Sequence, residues 1–229
     1  MNSIVAVTEL DVCSNQAIST AGTKGVPVIA AFDFDKTITT KHTFWRLLWR
    51  AVGSWRFLVG VVRLSPAILR FFLKHISLLE LRELTIHYYL SGFPADRFRV
   101  ICDDFAHKTI PRWIRPAAAE RILWHRLRGD IVIIVSNAPE DYLIPWAESV
   151  GITNVLGSRF EIQAGHLTGK LDGNHCFGEE KVSRLRELIG DLDQYEIHAY
   201  GDSAGDIPML KVANYGYYRT FSVDMFPPP

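Results

Sequence analysis

Cysteine is scarce in this chain. The three residues, Cys13, Cys102 and Cys176, are odd in number and far apart, with no CxxC pair and no metal-ligand spacing. That excludes a disulfide framework or a zinc knuckle and fits reduced, structural thiols in a cytosolic protein. Net charge is absent too: 25 lysines and arginines offset 25 acids. There is therefore no global pull toward nucleic acid. No apolar run reaches the roughly 18–20 residues needed to cross a bilayer. Residues 1–25 lack the basic start and apolar run of a signal peptide, and they read as a flexible leader. The closing FPPP reads as a tail. What remains is 229 residues, 48% of them hydrophobic, enough for one α/β domain or a core carrying an inserted lobe.

Three short apolar runs share a design. VPVIAAF (26–32) ends at an acidic pair, DIVIIVSNA (130–138) ends in Ser136 and Asn137, and YEIHAYGDSAGD (195–206) ends in Gly201, Asp202 and Asp206. Each reads as a buried strand closed by polar residues. Amphipathic segments 115–129 and 178–190, each ended by glycine, read as the helices before the second and third strands. Strands alternating with helices predict an α/β fold with a mostly parallel, doubly wound, Rossmann-like sheet. In such sheets ligands gather at the carboxyl ends of the strands, where all three polar clusters sit. The catalytic core is expected over 26–40 and 115–225. Residues 41–114, helical in period and poor in strand signals, are expected to form a helical cap inserted over the site. Residues 158–173 suggest a hairpin decorating one sheet edge.

Each polar cluster has an ordinary explanation alone. A DxD at a strand end is often a turn or cap, Ser136 a helix cap, Lys181 a solvated helix lysine and GDSAGD a turn. Their joint occurrence at the ends of separate strands is much harder to explain that way. Asp33-Phe34-Asp35-Lys36-Thr37, then Ser136, Lys181 and Gly201-Asp202-Ser203-Ala204-Gly205-Asp206 together resemble the four motifs of the haloacid dehalogenase-like hydrolases, in the phosphoserine-phosphatase-like branch. The resemblance covers about residues 27 to 220 and implies a Mg²⁺-dependent phosphomonoesterase. Asp33 would attack phosphorus and Asp35 would act as acid and base. Asp33, Asp202 and the backbone carbonyl of Asp35 would offer Mg²⁺ a hard oxygen site, with Asp206 supporting the metal or its waters. Thr37, Ser136, the Asn137 amide and Lys181 would hold the phosphate. DKTIT also resembles the phosphorylated segment of ion-pumping ATPases, which would make Asp35 the nucleophile. Pumps release ADP, which needs no proton, and they carry glycine where this chain has Ile38. An alcohol leaving group benefits from an acid two residues on, so Asp33 is assigned the attack. Phosphoryl transfer to another alcohol, and a non-catalytic phosphate- or partner-binding module on the same fold, are further readings.

Substrate signals are thinner. Phosphoserine phosphatases carry a glutamate soon after the first motif, and this chain has His42 there with Lys41, Arg46 and Arg50 nearby. That departure counts against phosphoserine. Over 55–74, Arg56, Arg63 and Arg70 recur every seven residues, with Lys74 one turn on, amid apolar residues. One reading is an ordinary cap helix with a solvated stripe. The other is an interfacial helix in peripheral contact with anionic membrane. Similarity to the sub-branch containing phosphatidylglycerophosphate phosphatases makes a lipid phosphate a candidate beside a small phosphorylated metabolite. The expected location is cytoplasmic, with membrane association on the second reading.

Overall fold

A computed structural model describes residues 25–220. Residues 1–24 of the expected leader, Cys13 among them, and the FPPP tail lie outside the described residues. The first half comprises β1 (Val28–Phe32), α1 (Phe44–Val52), α2 (Ser54–Arg63), α3 (Ser65–Phe72), α4 (Leu78–Leu90), α5 (Ala95–Lys108) and α6 (Pro116–Arg128). The second comprises β2 (Ile131–Pro139), α7 (Glu140–Ser149), β3 (Asn154–Ser158), β4 (Phe160–Gln163), β5 (His166–Leu171), α8 (Glu179–Ile189), β6 (Glu196–Gly201), α9 (Ile207–Val212) and β7 (Tyr215–Tyr218).

Five strands form one sheet in the order β3-β2-β1-β6-β7, and every pairing in it is parallel. The order reverses at β1, so the gap between β1 and β6 is the switch point where such sheets open a crevice. Strand pleating divides β1 between two cores. Ile29 and Ala31 pack with Val182, Leu185 and Met209 of α8 and α9. Ala30 and Phe32 pack on the other face, with Ile122 of α6 and Tyr142 of α7. Both faces are covered, as a sheet with buried central strands requires.

Helices α1–α5 lie between β1 and β2 in sequence. Their apolar faces do not close on themselves. Leu47, Leu48, Phe98 and Phe105 join the same cluster as Phe32 and Tyr142. The stretch 55–74 is two helices rather than one, meeting at Leu64. Pro66 stands in the first turn of α3, where its missing N–H costs nothing but a continuous helix would be broken.

The expected hairpin exists, but its position differs from the expectation. β4 and β5 form a separate antiparallel pair, turned through Ala164 (φ 49) and Gly165 (φ 77), the left-handed pair a tight hairpin needs. Leu167 N donates to Phe93 O at 2.9 Å, and Gly92 N donates to Leu167 O at 2.8 Å. The hairpin thus clamps the α4–α5 connection instead of edging the main sheet.

Beneath the sheet runs a buried polar chain. Arg121 Nε donates to Tyr200 OH at 2.6 Å, Tyr200 lies 2.9 Å from His125 Nε2, and His125 Nδ1 lies 2.7 Å from Asp130 Oδ2. The network fits neutral His125, with its proton on Nδ1. Burial first, then the charges of His198 and Arg121, push its pKa down to about 2. An unfolded histidine titrates near 6.5, so below that pH the unfolded chain binds a proton that the folded one refuses. His125 therefore costs no stability above about pH 6.5 and about 1.4 kcal/mol for each pH unit below it. Chemical denaturation from pH 7 to pH 4.5 should show this slope, and His125→Gln should flatten it. An unchanged slope would remove His125 as its source.

Candidate active site

Asp33 sits where β1 ends. Its N–H donates to Tyr200 O at 2.9 Å, which keeps it in register with β6, and its side chain is buried. The turn Phe34–Ile38 follows. Lys36 adopts φ 62, a left-handed conformation costly for a residue with a Cβ. Phe34 and Ile38 are buried on either side, and Thr39 N closes the turn onto Phe34 O at 3.0 Å. Asp33 and Asp35 consequently line one pocket of about 230 Å³.

Lys181, in the first turn of α8, is buried beneath Asp33. Its Nζ donates to Asp33 Oδ1 at 2.7 Å, Asp206 Oδ1 at 2.5 Å and Val135 O at 2.8 Å. An ammonium has three donors, and all three are engaged by the protein. Lys181 therefore orients and charge-balances the carboxylates. The other oxygen of Asp206 accepts from Asp202 N (3.1 Å), Ser203 N (2.9 Å) and Ser203 Oγ (2.7 Å). Glycine is required at 201 by this approach, since a Cβ there would lie 2.4 Å from Asp206 Cβ.

Thr37 is buried, with Oγ1 3.5 Å from Asp202 Oδ1, tying the first motif to the last. Ser136 is buried beside the pocket and its Oγ accepts from Ala138 N at 3.3 Å, leaving its O–H available to donate. The Asn137 side chain turns away, its Oδ1 accepting from Ser158 Oγ at 2.8 Å and lying 3.1 Å from His175 Nδ1. Its side-chain oxygen is thus committed to the protein.

The electrostatics follow from burial. Desolvation is the largest influence on Asp33; Lys181 opposes it and Asp206 adds to it, leaving the carboxyl raised to about 7. Asp202 is raised as well, by burial and then by Asp206. Burial also works against Asp206, but Lys181 and Ser203 hold it below the usual carboxylate range. Carboxylate oxygens of Asp33, Asp202 and Asp206 all lie within 4.8 Å of one another. Three carboxylates against one ammonium leave two negative charges, which an oxygen-seeking divalent cation would neutralise. The donor set therefore fits Mg²⁺. Because Asp206 is already engaged on both oxygens, Asp33 and Asp202 are the carboxylates best able to ligate.

Three residues escape a motif reading. Thr43 donates to Asp35 Oδ1 through both N (3.0 Å) and Oγ1 (2.6 Å), and its hydroxyl lies 2.6 Å from Tyr142 OH. Burial and the charge of Asp35 push the Tyr142 phenol well up, so it stays a donor and Thr43 passes its own proton toward Asp35. Arg82 of α4 lines the same pocket. Its guanidinium lies 4.1 Å over the Phe44 ring and donates to Asn137 O at 2.7 Å, while its Nε is buried without a partner. Nothing in their spacing marks these residues, because all three reach the site through tertiary packing. His42 lies 3.9 Å from Asp35 Oδ2. Among the described residues no carboxylate from helices α1–α5 lines the pocket.

The haloacid dehalogenase-like hydrolase family matches residues 30–211. Protein CicA of Caulobacter vibrioides is 35% identical over 85% of this chain and 87% of its own. A probable phosphatase of Mycobacterium tuberculosis is 27% identical over 81% of this chain and 66% of its own. Among solved structures, a phospho-aspartyl intermediate analogue of phosphoserine phosphatase superposes with a TM-score of 0.55. It is 20% identical and covers 82% of this chain and 84% of its own.

Proposed function

The chain belongs to the haloacid dehalogenase-like hydrolase family, and from that premise we propose that it is a Mg²⁺-dependent phosphomonoesterase working through an aspartyl phosphate on Asp33. The observation that carries the reading is the separation of the two acids of DFD. Asp33 is gripped by Lys181 at 2.7 Å, while Asp35 is held apart by Thr43 at 2.6 Å. One carboxylate is fixed as an attacking group and the other is aimed as a proton carrier.

In the first step an Asp33 oxygen attacks phosphorus, the P–O bond to the alcohol breaks, and Asp35 gives its proton to the departing oxygen. In the second, the Asp35 carboxylate takes a proton from water. The oxygen so activated attacks phosphorus and frees Asp33 and inorganic phosphate. Mg²⁺, held by Asp33, Asp202 and the Asp35 carbonyl, would supply charge neutralisation for the phosphoryl oxygens. Ser136 and the Asn137 N–H donate to those oxygens. Proton transfer of this kind contributes about 10²–10⁴-fold. Asp35→Asn should therefore slow steady-state hydrolysis by that factor, and most severely for alkyl phosphates with poor leaving groups. A loss independent of the leaving group would argue against Asp35 as the acid.

The pocket wall favours an organic portion that is apolar and anionic. Phe44, Trp45, Leu78, Leu81 and Phe177 supply the apolar surface, and Arg82 the cation. Among the described residues an amino group would find no pocket carboxylate beyond the catalytic ones, so phosphoserine fits less well than a lipid phosphate such as phosphatidylglycerophosphate. A substrate panel tests this through kcat/KM: phosphatidylglycerophosphate should exceed phosphoserine by at least about tenfold, the scale of one unpaired polar group. Preference for phosphoserine would reverse the substrate assignment and leave the chemistry standing.

A further inference from the structure

The outer face of α2 and α3 is apolar where an isolated folded protein would be polar. Trp55 is 78% exposed, Val62 72% and Phe72 73%, and Leu58 and Leu69 are also mostly exposed. Trp55, Val62 and Leu69 recur at seven-residue spacing, and Arg56, Arg63 and Arg70 recur beside them with the same spacing. Within α2 this sets Trp55 and Val62 on one stripe with Arg56 and Arg63 along its flank, and α3 exposes Leu69 and Phe72 beside Arg70. The opposite side of α2 is anchored: Gly60 lies so close to α4 that a Cβ would meet Tyr89 OH at 2.3 Å, and Tyr89 OH donates to Phe57 O at 2.6 Å. The exposed stripe is therefore held outward by packing on its other side.

Charge decides what would cover it. Between Asp35 and Glu80 the chain has eight lysines and arginines and no acid, in a protein whose total charge is zero. Arg56, Arg63 and Lys74 form no ion pair among the described residues. A second copy of this chain would bring like charge to like. No described helix is long and apolar enough to cross a membrane. An apolar stripe flanked by unpaired cations suits a surface that is negative outside and greasy within.

The surface also leads somewhere. A groove of about 810 Å³ shares Leu58 with the outer stripe of α2 and shares His42 and Trp45 with the catalytic pocket. Lys41 over Trp113, at 5.4 Å, and Arg46 over Trp49, at 4.0 Å, add stacked cations along it. We propose that α2 and α3 dock the protein on an anionic lipid bilayer and that this groove connects the docked surface to the catalytic pocket. Docking rests on the surface alone, and its readout is independent of hydrolysis.

The experiment is flotation of the purified full chain with two kinds of vesicle, phosphatidylcholine alone and phosphatidylcholine containing roughly one-third phosphatidylglycerol. The protein should float with the anionic vesicles and not with the neutral ones, and high salt should release it. Reversing two flanking charges (Arg56→Glu with Arg63→Glu) should weaken binding by at least about tenfold. Trp55→Ser with Val62→Ser should weaken it as well. Hydrolysis of p-nitrophenyl phosphate by both variants should stay at the wild-type rate, which reports that they are folded. Failure of the wild-type protein to bind anionic vesicles would overturn the proposal. So would equal binding to neutral vesicles, binding that both variants keep, or self-association through the stripe in place of vesicle binding.

Discussion

Replacing Asp33 by Asn should abolish turnover of p-nitrophenyl phosphate by at least about 10⁴-fold while leaving the protein folded. The amide keeps the shape of the side chain but cannot form an acyl phosphate. Stability should survive because burial already raises the Asp33 pKa to about 7 despite Lys181. The sign follows directly. A carboxyl raised above its unfolded value binds a proton in the folded state that the unfolded state has released. Its favourable contribution is present at acid pH and is lost as pH rises from about 4 through 7. An uncharged Asn escapes that loss. In metal-free buffer at pH 8 the variant should therefore melt no lower than the wild type, and added Mg²⁺ should raise the wild-type Tm more than the variant's. Residual activity above about one-hundredth of wild type would move the nucleophile elsewhere.

Lys181→Met should give the largest loss of stability. Lys181 is 1% exposed, and its ammonium faces two carboxylates and a carbonyl. Methionine fills similar space but leaves Asp33 and Asp206 facing each other without a cation. Breaking a buried ion pair from one side costs about 3–5 kcal/mol. For a chain of this size that lowers Tm by roughly 10 °C. Activity should also fall by about 10²–10³-fold, since the nucleophile loses its orienting partner. Mg²⁺ should recover part of the lost Tm by neutralising the same carboxylates. A Tm within 2 °C of the wild type, roughly the shift from half a kcal/mol, would mean that Lys181 does not balance the cluster.

The central strands were legible because β1, β2 and β6 are short apolar runs that stop at polar residues, and a strand buried on both faces needs little else. β3 and β7 were not. NVLGS and YGYY carry glycine and weak alternation, and they become strands because the edges of a twisted sheet are free to pair. The hairpin was legible in itself but not in its location, which depends on Phe93 pairing with Leu167, 74 positions on in the chain and far beyond any local signal. The same divide runs through the site. DFDKT, Ser136 and GDSAGD were marked by their places at strand ends, and Lys181 by the family resemblance alone. Thr43, Tyr142 and Arg82 were not, since a threonine, a buried tyrosine and a helix arginine are ordinary until the fold brings them to Asp35 and Asn137. The partners of Lys181 were not legible either: its Nζ reaches Asp33, Asp206 and the Val135 carbonyl, which stand 25 or more positions away in the chain.

A covalent bond between phosphorus and Asp33 can be caught by borohydride trapping. The enzyme would be quenched during turnover and treated with borohydride, which reduces an acyl phosphate but not a free carboxylate. The peptide spanning Phe32–Thr40 would then be sequenced by mass spectrometry. Position 33 should be homoserine and position 35 unmodified aspartate. Homoserine at position 35, or no reduction under conditions where substrate is being consumed, would contradict that bond.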